Sequence, residues 1–486
     1  MRDLLRVLCV CALGVGPLVG CGETAGAGGG AGSAGTGGAG GDGGTGGVPA
    51  CRNPEDCDDG KECTEDTCVG GTCDTTPVED FTLCDNEGVC LDGVCWADGV
   101  VFECTEQGIR SAIAAGGGPY TFNCERPTTV VTEAEIVIDN DVILRGDLTV
   151  DGNDDHRVFS VADGVTAELR GFTVTKGLVG GQEHGAGILN DGTLTLTNST
   201  VSENSGVYGG GIYNFGTLTL TNSTVSGNAA LQGAGIDNEG TLTLTDTTVS
   251  GNMAQSEGGG IANLSGTLTL TNGTVSGNTA LMGNGGGVTN ILGTLTLTNS
   301  TVSGNTGAWA GGINNYTGTL TLTNSTVSGN TTLSKGGGIA NYTGPVTLTN
   351  STVSGNTADE AGGGIFNLGP LTLTNSLVDG DCEVPEPGVP TSKGYNVESP
   401  GNTCGFDQPT DQINDSADDL KLGPLQVNGG PTETHALGEG SVAIDVIPEA
   451  ECVDAEGDPL TEDQRAEPRP GGSMCDVGSF ELQPEP

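Results

Sequence analysis

The chain has 486 residues, room for more than one domain, but glycine fills 88 positions while aromatics reach only 3% and charged residues 16%. That composition excludes one ordinary globular core. Aspartate and glutamate number 63 against 15 lysines and arginines, a formal net charge of -48, which excludes nucleic acid and anionic membrane surfaces as partners and favours cations.

Residues 1–20 read as an export signal. Arg2 and Arg6 flank the start of an apolar run from Val7 to Val19 that is too short to span a bilayer. The run ends in Leu18-Val19-Gly20-Cys21, which resembles the bacterial lipobox. The resemblance implies cleavage before Cys21, lipidation of that cysteine and attachment to the membrane through the lipid. Gly22 follows, and the lack of an aspartate there implies the outer membrane and a surface-exposed lipoprotein. Removing Cys9, Cys11 and Cys21 from the 17 cysteines leaves 14, an even number suited to pairing in an oxidising compartment.

Residues 21–50 combine the lipidated Cys21 with a stretch of Gly, Ala, Ser and Thr whose only charges are Glu23 and Asp42. Nothing there can bury a core, so it is a tether, spanning ~30 Å as a random coil. Residues 51–96 form a disulfide-rich module holding Cys51, Cys57, Cys63, Cys68, Cys73, Cys84, Cys90 and Cys95. Apolar residues are scarce between them, so bridges must supply the stability. Histidine is absent, which argues against zinc. Asp56, Asp58 and Asp59 are weak Ca²⁺ candidates, because no full EF-hand pattern surrounds them; no other cofactor is expected. The cysteine spacing loosely resembles EGF-like or disintegrin-like modules of secreted proteins.

From about residue 97 short apolar runs alternate with Gly, Asn and Asp. Cys104 and Cys124 bracket a short helix over Glu106 to Ala115 and are expected to pair. Two degenerate coils follow, ending in Gly146 and Gly171. Then Gly-Thr-Leu-Thr-Leu-Thr-Asn-Ser-Thr-Val-Ser and close variants recur with the glycine at 192, 216, 240, 266, 293, 318, 344 and 369. A fixed period of about 25 marks a solenoid. Leu194 and Leu196 alternate with Thr193, Thr195 and Thr197, the period of two that separates an inner from an outer face. Val201 and Ile212 complete the apolar set, too small for one coil to stand alone. Stacking at the ~4.8 Å strand spacing sets Leu194 on Leu218 and Ile212 on Ile236, and eight strong coils give a rod about 40 Å long. The Thr, Val, Gly and Asn content excludes a helical solenoid. The fold class is therefore all-β, a right-handed parallel β-helix over residues 97–380, preceded by the disulfide-rich module.

Asparagines recur at the corners. Asn198, Asn222, Asn272, Asn299, Asn324, Asn350 and Asn375, with Asp246 as the one substitution, are expected to form a structural amide ladder. A second row, Asn204, Asn228, Asn252, Asn278, Asn305, Asn330 and Asn356, is expected to form a ladder of the same kind. Many of these sites match the Asn-x-Ser/Thr glycosylation pattern. The bacterial export signal favours the structural role.

The recurring Gly-Gly-Gly-Ile-x-Asn and Thr-Leu-Thr-Asn-Ser-Thr-Val-Ser-Gly-Asn motifs resemble pectin-lyase-like β-helix surface proteins and the repeats of polymorphic outer membrane proteins. Residues 381–486 carry Gly423-Pro-Leu-Gln-Val-Asn-Gly-Gly-Pro-Thr-Glu-Thr-His435, Ser441-Val-Ala-Ile-Asp445, Asp463-Gln-Arg465, Arg469-Pro470 and Cys475-Asp-Val-Gly-Ser-Phe-Glu481. These closely resemble choice-of-anchor Q domain proteins, β-helix proteins held on the cell surface by varied means. Residues 381–486 are expected to complete and cap the rod's open strand edge. Cys382 with Cys404, and Cys452 with Cys475, are candidate bridges within that cap.

Between Lys176 and Lys393 the sole basic residue is Lys335. A lyase that abstracts a proton beside a uronate needs a base and positive charge. Asp237 with Glu239, and Asp359 with Glu360, are the acid pairs available for glycoside hydrolysis, but each lies at a variable edge, as does His184 beside Glu183. No catalytic residue is assigned. The expected role is a non-enzymatic scaffold or adhesin. The alternative is a polysaccharide-binding or polysaccharide-degrading protein, using the variable loops with Tyr208, Met253, Trp309 and Lys335 and the row Phe215, Leu264, Ile291, Tyr316, Tyr342 and Leu368.

Overall fold

A computed structural model of the chain describes residues 101–484 apart from 123, 125–127, 414 and 456, together with the backbone of short strands between Thr64 and Trp96. Cys21, Asp56, Asp58 and Asp59 lie outside the described residues. Within the module, Cys68 stands opposite Cys73 and Cys90 opposite Cys95 in antiparallel register.

The coils stack as a parallel β-solenoid of about ten turns. Its leucine strands pair in register from Thr193–Thr197 onward, Leu194 on Leu218 and Leu196 on Leu220. The valine strands, beginning with Thr200–Ser202, set Val201 on Val225. The isoleucine strands belong to an 11-stranded sheet that runs from Ile136–Ile138 to Cys382–Glu383. All these aliphatic side chains are fully buried and form one core with Ile109 and Ile113 of the helix Glu106–Ala115, which closes the first end. A fourth ladder of two-residue strands, from Ala229–Ala230 to Thr357–Ala358, was not apparent in the repeat. In the first coils Val142–Asp151 and Thr166–Thr175 are each one strand; later coils break at the asparagine corner into a leucine strand and a valine strand.

That corner corrects the expected ladder. Asn198, Asn222, Asn272, Asn299, Asn324, Asn350 and Asn375 all have φ between 47° and 53°. They are the left-handed turn residues, a conformation that asparagine tolerates better than most side chains. This geometry turns their amides outward, and they do not bond one another from coil to coil. The second expected row, from Asn204 to Asn356, does form a ladder. Asn204 Nδ2 donates to Asn228 Oδ1 at 3.0 Å, and the pattern repeats to Asn330 and Asn356 at 2.9 Å. A further row, unassigned from sequence, runs from Asn190 through Asn214 and Asn238 to Asn367, with steps of 2.7 to 3.0 Å. Ser199, Ser223, Ser300, Ser325, Ser351 and Ser376, each beside a turn asparagine, are buried in the rod.

Disulfides join Cys104 to Cys124, Cys382 to Cys404 and Cys452 to Cys475. The open edge is continued by Thr391–Ser392 and Val397–Ser399, with Gln412 bridging onto Val397. The expectation of a simple end cap needs correction beyond that point, because residues 422–484 turn back and lie along the side of the last coils. Thr301 Oγ1 donates to Glu433 O, Thr326 Oγ1 to Gln464 Oε1, and Ser479 N to Thr352 Oγ1. The turn asparagines Asn324, Asn350 and Asn375 donate to the carbonyls of Glu462, Val453 and Glu451. The outward Thr and Ser of Thr301–Ser303 are accordingly buried, whereas those of Thr200–Ser202 are half-exposed.

Candidate functional site

Within this strap the acid–base candidates are held by the protein itself. His435 Nε2 meets Ser328 Oγ at 2.8 Å and its Nδ1 meets Gly423 O at 2.8 Å, so it does not pair with Arg465. Arg465 instead bonds Asp463 at 2.7 Å and lies 3.7 Å over the Phe480 ring. Arg469 and Glu481 form an ion pair at 3.0 Å with side chains 0% and 1% exposed. Glu481 also accepts from the backbone of Gly471 and Asp476, while Arg469 donates to Gly478 O and Asn324 Oδ1. Burial and the neighbouring Glu481 push the Asp476 carboxyl up to about 6. Carboxylates and cations so enclosed have the satisfied bonding of an architectural lock.

The uncovered ring-bearing surface lies outside the isoleucine ladder. Successive coils place Leu189, Tyr213, Asp237, Ala262, Thr289, Asn314, Ala340 and Phe366 in register. Most of this row is buried beneath the glycine loop that precedes each strand. At Gly233, with φ at 59°, an added Cβ would approach Asp237 Cβ to 2.7 Å, so only glycine lets the loop lie this close.

Aromatic residues collect at two places on this surface. In the first, the His184 ring stacks on Tyr213 at 4.4 Å, Tyr213 lies 4.6 Å from Phe215, and Tyr208 meets His184 edge-on at 5.3 Å. Phe215 is 44% exposed. The Tyr213 hydroxyl donates to the exposed carboxylate of Glu239, and burial together with that bond pushes the phenol well above its ordinary range. Asp237 is wholly buried; Gln232 donates to its Oδ2, but Oδ1 has no partner. Burial is the main cause that holds this carboxyl up at about 7, with Glu239 and Glu257 adding to it. In the second, Tyr316, Tyr342 and Phe366 follow at 5.5 and 5.8 Å, with Lys335 Nζ 5.0 Å over Phe366.

Beside the first cluster opens a cleft of about 500 Å³ lined by Glu135, Asp155, His156, Arg157, Leu178, Val179, Gly180 and Glu183. Arg157 forms its wall, paired with Glu135 at 2.7 Å and donating to the carbonyls of His184 and Gly185. His156 Nε2 meets Thr132 Oγ1 at 2.8 Å, while its buried Nδ1 has no partner. In sequence His184 stands only beside Glu183 at a variable edge; its link to Tyr213 and Asp237 becomes visible when residues about one coil apart are superimposed.

The members of the acid pairs sit in different surroundings. Asp237 is buried and Glu239 is exposed and bonded to Tyr213, while Glu360 accepts from Ser334. Among the described residues no group of three or more His, Cys, Asp or Glu is arranged to hold a metal ion, and no helix is long and apolar enough to cross a membrane.

A family model described as a right-handed β-helix region matches residues 208–378. The crystal structure of pectate lyase Pel9A is similar to this chain with a TM-score of 0.43 and 15% identity, over 76% of this chain and 90% of that one. No curated protein matches significantly. The coil geometry and the family model over residues 208–378 together define the fold class, a right-handed parallel β-helix.

Proposed function

We propose that this chain is a non-enzymatic bacterial surface lipoprotein, a rigid scaffold or adhesin held to the outer membrane through lipidated Cys21. The reading rests above all on the strap, where His435, Arg465, Arg469, Asp463 and Glu481 are all spent on fixing the strap internally or to the coils. Along the coils Lys335 is the lone basic residue between Lys176 and Lys393, too little for uronate chemistry. The Gly-rich tether would hold the rod off the lipid surface. Exposed rings such as Phe215 and Trp309 favour adhesion over a purely mechanical role.

The test uses the full chain. Cys21→Ser should move it from the membrane to the soluble fraction. Incubation with a panel of polysaccharides should yield neither new reducing ends nor unsaturated products. Turnover of any member would overturn the non-enzymatic reading, and an unmoved Cys21→Ser chain would overturn the lipid anchor.

A further inference from the structure

We infer that the cleft beside His184 and the ring cluster beyond it form one binding site for a sugar chain bearing free amino groups. This deepens the adhesin reading and rests on it. The two halves are continuous, because the carbonyl of His184 accepts from Arg157 in the cleft wall while its ring stacks on Tyr213.

The cleft's volume of about 500 Å³ lies in the usual range for small-ligand sites. Leu178 and Val179 give the cleft an apolar patch, while Glu135, Asp155, His156, Arg157 and Glu183 supply polar groups, a mixture that suits a pyranose with one C–H face and a rim of hydroxyls. Phe215 offers an exposed ring face for stacking. His156, in the cleft lining, has a buried Nδ1 without a hydrogen-bond partner, and a ligand hydroxyl in the cleft would complete its bonding.

Charge selects the sugar. The Arg157 cation is already matched by Glu135, whereas Asp155 and Glu183 line the same cleft with no ion-pair partner among the described residues. Glu239 adds an exposed carboxylate beside the rings. A uronate would meet these carboxylates unfavourably. An ammonium group gains both their charge and the ring faces of Tyr208 and Phe215.

The experiment is calorimetric titration of the full chain with three probes, namely β-1,4-linked glucosamine hexamer, its N-acetylated counterpart and an oligogalacturonate of equal length. The glucosamine chain should bind about tenfold more tightly than either other probe, and added salt should weaken it. Phe215→Ala and Glu183→Gln should each weaken that binding by about fivefold or more, while Tyr316→Ala, in the second aromatic cluster, leaves it unchanged. Circular dichroism checks that the variants keep their coils. Equal affinity for all three probes, indifference to Phe215→Ala and Glu183→Gln, an equal loss in Tyr316→Ala, or absence of binding would each overturn the site. None of these touches the non-enzymatic reading, which fails instead if new reducing or unsaturated ends appear in the same mixtures.

Discussion

Replacing Asn278 by alanine removes one rung of the inner amide ladder at a position that is 0% exposed. Its Nδ2 donates to Asn305 Oδ1 and Val249 O, each at 3.0 Å, and its Oδ1 accepts from Asn252 N at 3.0 Å and Asn252 Nδ2 at 2.9 Å. Truncation leaves the Asn252 backbone N–H without a partner and the Val249 carbonyl short of one. At about 1–3 kcal/mol for each unsatisfied buried group, the expected cost is about 2–6 kcal/mol. Asn272 provides the contrast: it is a half-exposed turn residue at φ 52°, so Asn272→Gly should change stability by less than about 1 kcal/mol. Because a solenoid opens locally, the measurement is hydrogen exchange resolved by peptide on the full chain. In Asn278→Ala, amides between 248 and 306 should exchange at least about thirtyfold faster, the counterpart of 2 kcal/mol. Equal acceleration by Asn272→Gly, or none by Asn278→Ala, would refute the assignment of the ladder to the inner row.

Arg469→Met should free the strap, since Glu481 is left buried without its cation at a cost of about 3–5 kcal/mol; protease should then cut within 422–484 while coils 193–300 stay protected, and unchanged strap cleavage would count against the lock. Asp237→Asn should stabilise the rod more at pH 8 than at pH 4. Between the ordinary carboxyl value of 3.8 and about 7, the unfolded chain releases a proton that the folded chain keeps, so native stability falls through that window and stays low above it. The difference, about three pK units at 1.36 kcal/mol each, is at most about 4 kcal/mol, and an equal shift in melting temperature at both pH values would refute it. Leu270→Ala, at 1% exposure in the core, should cost about 2–5 kcal/mol by chemical denaturation. A loss below about 0.5 kcal/mol would contradict a close-packed interior.

The stacking was legible because it depends on two periods written into the chain. Alternation in Leu194 and Leu196 chose the inner face, and the recurrence of about 25 residues chose which leucine sits on which. The same recurrence marked the Asn204 row as a ladder but could not set it apart from the Asn198 row or reveal the Asn190 row, since all three return once per coil. Only backbone φ at Asn198 and the inward setting of Asn190 and Asn204 separate turn from ladder.

The amino-acid sequence by itself determined the β-helix, its coil length and its inner ladders of Leu, Val and Ile, because a coil with so few apolar residues gains burial only from a neighbour in register. The sideways arrangements were decided by tertiary structure alone. Thr326 has the same local sequence as Thr224, yet Thr326 is buried by Gln464 and Ser479, which are more than 130 residues away along the chain. Likewise His184, Tyr213 and Asp237 became one cluster only when the coils were wound. No local propensity encodes such contacts; they follow from which exposed edge the returning chain can satisfy.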